Sequence, residues 1–141
     1  MGKIKYEFLS KLVPLMSRDE QKAMMRAARK VGGDPAELVI QISRGIVLQN
    51  GCHLSIQASC GHYCSPRLTL PYKCYESFEV AICDDVNGVF LSASDLFGDG
   101  DELAVKVDEY ASGDKIFACL PTELVERLYQ RCKEQFGLIE V

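Results

Sequence analysis

The chain has 141 residues, 48% of them hydrophobic and 26% charged, with a net charge of −4. At this length one domain buries about 68–70% of its unfolded surface, so a core can form without disulfides or a metal to hold it. No stretch approaches the roughly 20 apolar residues that a membrane helix needs, which excludes a spanning helix and predicts no membrane partner.

The start, MGKIKYEFLSKLVPLM, lacks the small-residue cleavage pattern of a signal peptide, and Tyr6 stands where a myristoylation signal needs Ser or Thr. Seven cysteines is an odd number, and with no sign of secretion it predicts reduced thiols and a cytoplasmic protein. Cys83, Cys119 and Cys132 sit in apolar or amphipathic settings and read as small core residues. Charge is unevenly spread. Residues 1–30 hold eight basic against three acidic residues, whereas 84–114 hold nine acids and only Lys106. The acidic stretch is either a solvated face or a surface for a basic partner.

In chain order, residues 4–16 suggest a short helix on Ile4, Phe8, Leu9 and Leu12, ended by Pro14. Ser17-x-x-Glu20 fits a capping box opening a second helix, with Met24, Met25, Ala28 and Val31 as its apolar side and Gly32-Gly33 as its stop. Asp34-Pro35 predicts a third helix reaching Asn50-Gly51, with Leu38, Val39, Ile42 and Ile46 facing the core. A helix-turn-helix is disfavoured, because the would-be recognition helix has only Arg44 as a basic residue, so direct DNA binding is not expected.

Alternation at Leu54, Ile56, Ala58 and at Phe78, Val80, Ile82 predicts two half-buried strands. Asn87-Gly88 is a hairpin signal with Val89–Leu91 as its return strand. DLFGDGDE, residues 95–102, reads as an acidic loop. Leu103, Val105 and Val107 then read as a strand, and Ile116, Ala118 and Leu120 as the last one. Pro121-Thr122 opens a closing helix, 121–136, stopped by Gly137. Short turns rule out parallel pairing. The expectation is a single α+β domain: a helical part over 1–50, an antiparallel sheet of four to five strands over 52–120 with a long loop at 60–75, and N- and C-terminal helices packed on the sheet.

The 60–75 loop, CGHYCSPRLTLPYKCY, is long for a compact domain. It gathers His62, Tyr63, Ser65, Arg67 and Tyr72, which suit an anionic or planar ligand: Arg forks to phosphate or carboxylate, and Tyr offers a stacking face. A packed loop whose aromatics complete the core is the competing account. Cys60, His62, Cys64 and Cys74 have the right chemistry for zinc, but one-residue gaps are unlike the usual two-to-four, so no cofactor is expected and zinc remains an alternative. A thiol enzyme would pair His62 with Cys60 or Cys64, yet no orienting carboxylate or oxyanion loop is evident. Asp95, Asp99, Asp101 and Glu102 fail the EF-hand spacing and are candidates instead for a basic partner.

SIQAS, HYCSPR, TLP, YESFEVAI and FACLPTELVERLYQ together resemble a group of small proteins encoded by phages and prophages. The likeness runs from about Cys52 through the closing helix and leaves the first 50 residues uncovered. It implies no enzymatic activity and no catalytic residue, and Cys60 and Cys74 lie outside its pattern. It implies an accessory protein that counters a host defence by binding. The partner would be a host defence complex, as for an anti-CRISPR-type inhibitor, or a small anionic nucleotide signal that the chain sequesters. A zinc-stabilised structural protein is the remaining alternative, and a homodimer is allowed.

Overall fold

A computed structural model of the chain describes residues 6–140. Among them are five α-helices and an open five-stranded antiparallel sheet, which is the α+β class expected. The strands are β1 (Ile46–Val47), β2 (Cys52–Gln57), β3 (Ser77–Asp84), β4 (Val89–Leu91) and β5 (Ile116–Pro121). The helices are α1 (Arg18–Lys30), α2 (Pro35–Leu38), α3 (Ala93–Phe97), α4 (Glu102–Asp108) and α5 (Thr122–Phe136). Strand β3 is central. It pairs with β2 along one edge and with both β4 and β5 along the other, while β1 flanks β2.

One face of the sheet builds the core. Leu54 and Ile56 of β2 and Phe78, Val80 and Ile82 of β3 are fully buried, under Val125, Leu128 and Tyr129 of α5 and Ala104 and Val107 of α4. Phe8 joins them and meets Phe78 edge-on, with ring centroids 5.3 Å apart. Gly88, at φ 70°, closes the β3–β4 turn in a conformation that few other residues adopt. Helix α5 begins at Thr122 and stops at Gly137, as its sequence signals predict.

Five expectations need correction. The helix over 34–49 is only the four residues of α2. Asp34 caps it and Pro35 opens it, but from Val39 the chain is extended and enters β1. The cause is the β-branched run Val39-Ile40 and Ile42, together with Ser43, whose hydroxyl donates to Ile56 O at 2.5 Å and ties the segment to the sheet. The helical part of the N-terminal region therefore ends near Leu38. The helix at 4–16 is a 3-10 turn, Glu7–Lys11, and Ile4 lies outside the described residues.

The strand at 103–107 is helix α4, because Asp101 caps it by accepting from Ala104 N, and Leu103, Ala104 and Val107 form one buried helical face. The acidic loop 95–102 is consequently the end of α3, a turn and the start of α4. Finally, Met24, Met25 and Val31 do not face a core: they are 46%, 39% and 79% exposed, and only Ala28 of α1 is buried. Gly33 lies against the Leu38 side chain where α1 turns into α2, so a Cβ there would push that exposed side chain aside. Of the three expected core cysteines, Cys132 is buried, Cys83 is half-buried and Cys119 is exposed.

Candidate functional site

The 60–75 loop is stitched to the sheet rather than draped over it. Ser65 bridges Ser77 at the start of β3, and Glu76 N donates to Ser65 O at 2.8 Å. On the other side, β5 carries a bulge: the pairing slips between Phe78–Leu120 and Val80–Phe117, and Cys119 takes φ 51°. That conformation turns the Cys119 N–H away from β3 to donate to Tyr63 O at 3.0 Å.

The tail of the loop hangs on Tyr75. Its hydroxyl donates to Leu68 O and accepts from Leu70 N, both at 2.7 Å, and from Gln41 Nε2 at 3.0 Å. Thr69 completes the attachment, donating its hydroxyl to Val39 O and its N–H to Ala36 O.

This frame sorts the predicted ligand-binding residues. Tyr63 is 56% exposed, and the Arg67 guanidinium lies over its ring, 4.9 Å from the centroid. Ser65 is exposed beside them, but its backbone is committed to the bridge with Ser77. His62 is half-buried, with Nδ1 2.7 Å from Ser59 Oγ. Burial holds its imidazole below the ordinary range, opposed by the Glu79 carboxylate and reinforced by Arg67. Tyr72 turns its hydroxyl inward, where it is buried without a hydrogen-bond partner among the described residues. It therefore packs, and only Tyr63, Arg67, Ser65 and the rim of His62 remain for a ligand. Glu79 accepts from Tyr63 N at 3.4 Å and places a carboxylate next to that surface.

Of the zinc candidates, Cys64 is buried with its thiol donating to Ser59 O at 3.3 Å, and Cys74 is exposed. Among the described residues no three His, Cys, Asp or Glu side chains gather as a ligand set. The Cys64 thiol is pushed up by burial, and that of Cys132 up to about 12.

Three of the four acidic candidates serve the fold. Asp95 closes a capping box with Ser92 and pairs with Lys115 at 2.9 Å. Asp101 caps α4 and pairs with Arg131 at 2.7 Å, and Glu102 pairs with Lys106 and Arg127. Asp99 is exposed and has no ion-pair partner among the described residues.

The sequence reading missed the open face of the sheet. His53 stands opposite Cys83, and its Nδ1 is 2.8 Å from Asp85 Oδ2. With Val89 and Phe90 they line a hollow of about 280 Å³. Burial, then Asp85, pushes the Cys83 thiol up to about 11, so it stands as a neutral thiol and not a ready nucleophile. The signal was the parity of β2, where His53, Ser55 and Gln57 alternate with the inward Leu54 and Ile56.

Comparison of the chain with protein families, with curated proteins and with solved structures gives no match in any of the three.

Proposed function

We propose that the chain is a non-enzymatic accessory protein of the phage type, working in the host cytoplasm, that counters a host defence by binding one of its protein components. The observation behind this is the Tyr63–Arg67 stack, two exposed side chains held together on a loop fixed at both flanks. Tyr and Arg dominate the hot spots of protein interfaces, and a pair already stacked loses little freedom on binding.

A protein partner fits better than a sequestered nucleotide. The stack stands out on the surface, whereas small-ligand sites envelop most of the ligand, and the Glu79 carboxylate opposes a phosphate placed on Arg67. The acidic stretch is the weaker route, since Asp95, Asp101 and Glu102 already have cationic partners within the chain.

The test is expression of the chain in bacterial strains that each carry one defined defence system, challenged with a phage that system blocks. Plating should recover against at least one system. The Tyr63→Ala/Arg67→Ala double variant should lose roughly a hundredfold of that recovery, as expected for removing hot-spot contacts. No recovery in any strain, or full recovery with the double variant, rejects the reading. Recovery confined to cyclic-nucleotide systems, with nucleotide released when the purified protein is denatured, would replace the protein partner by that ligand.

A further inference from the structure

Residues 13–44 build a surface of their own. Leu15 N donates to Ile42 O and Arg44 N to Val13 O, both at 2.8 Å, so 13–15 and 42–44 form a short two-stranded ribbon. Pro14 stands opposite Ser43, which is 3% exposed and faces inward. Strand alternation therefore turns Val13, Leu15 and Ile42 outward, where they are 47%, 58% and 48% exposed, and Ile40 extends the strip at 49%.

Helix α1 runs from the end of this ribbon. Arg18, Lys22, Arg26 and Arg29 fall at i, i+4, i+8 and i+11, a single stripe along its exposed side. Met24 lies off that stripe, whereas Met25, three residues after Lys22 and four before Arg29, sits along it; both are exposed. None of the four cations has a carboxylate partner among the described residues, whereas Lys11, Lys115, Arg131 and Lys133 all do. Open aliphatic side chains and unpaired cations thus share one end of the molecule.

We propose that this surface docks an acidic amphipathic segment of a partner protein, apolar side chains against the Leu15–Ile42 strip and carboxylates against the α1 stripe. A second copy is the poorer occupant, because a two-fold contact would set the cation stripe near its own image. Nucleic acid would engage the cations and leave the aliphatic strip in water. A bilayer surface calls for large apolar anchors along the helix, and α1 offers no Leu, Phe or Trp. The surface adjoins the 60–75 loop, since a Cβ on Gly61 would meet Ile40, but its docking does not depend on the Tyr63–Arg67 stack.

Three labelled helical peptides of about four turns test the proposal. They share one Leu face and differ only in carrying Glu, Gln or Lys at the polar positions, and fluorescence anisotropy reads their binding to the full chain. The Glu peptide should bind at least about tenfold tighter than the Gln peptide, with the gap closing as salt is raised. The Lys peptide should show no binding. An Arg18→Glu/Lys22→Glu/Arg26→Glu variant, exposed positions that leave the fold intact by circular dichroism, should reverse the order. Leu15→Ser/Ile42→Ser should weaken the Glu and Gln peptides alike, and Tyr63→Ala/Arg67→Ala should leave the Glu peptide unaffected. Equal binding of the Glu and Gln peptides overturns the proposal. So does tighter binding of duplex DNA or phosphatidylserine vesicles than of the Glu peptide, or a dimer in solution that Ile42→Ser dissolves.

Discussion

Tyr72 and Tyr75, three residues apart, show how little a residue's type says about its work. The Tyr75 hydroxyl satisfies Leu70 N and Leu68 O, which have no other partner among the described residues, whereas the Tyr72 hydroxyl is buried near Ser43 without a well-formed hydrogen bond. Removing the first strands Leu70 N and Leu68 O, while Gln41 keeps Ala58 O and Leu70 O as acceptors. Removing the second relieves an unpaid desolvation. Tyr75→Phe should therefore destabilise the protein by about 1–3 kcal/mol, and Tyr72→Phe should be neutral or stabilising. Urea unfolding of both variants checks this, and equal losses would refute it. The sequence shows a long loop rich in Tyr at 60–75, and so the place of the candidate site was legible. Which ring faces solvent was not, because that depends on Gln41 and Ala36, more than 30 residues away.

At the scale of elements, reading succeeded where local chemistry and tertiary packing agree. β2, β3, β4 and α5 have clear alternation or clear caps, and their positions match within one or two residues. It failed where a short apolar pattern fits both periods. Leu103, Val105 and Val107 look like a strand, yet Val105 is 50% exposed in α4. Asp101 at the cap and Glu102 four residues before Lys106 were the helix signals. At 39–48 the error ran the other way, toward helix, and the deciding bond is long-range, Ser43 to Ile56.

Asp101 then tests α4 as an element. Its carboxylate is held below the usual range first by Arg131 and then by Ala104 N. Asp101→Asn keeps a capping oxygen and loses the ion pair, whereas Asp101→Ala loses both. The melting temperature should fall in the order wild type, Asn, Ala, and an Ala variant that melts like wild type would remove the cap from the account of why α4 forms.

At the scale of the whole molecule, the titrating groups predict a stability plateau with distinct causes at its two ends. His62 has a depressed pKa in the fold, so the unfolded chain binds its proton more readily. Acidification below about 6.5, the unfolded value, must then favour unfolding. The carboxylates of Asp84, Asp95 and Asp101 are also depressed, so their contribution is complete above about 4 and is lost as pH falls through their folded values. The acid side should therefore descend in two steps.

On the alkaline side the thiols of Cys83 and Cys132 ionise at about 11 and about 12 in the fold. Unfolded thiols ionise near 8.5, so stability should fall as pH rises past that point. The urea midpoint measured from pH 3 to 10 reads all three limbs. His62→Gln should erase the step near pH 6 and leave the carboxylate step in place. Cys132→Ala should soften the alkaline limb, whatever it costs at neutral pH. An acid step near pH 6 that survives His62→Gln would show that the buried imidazole beside the candidate site has no part in the acid response of the fold.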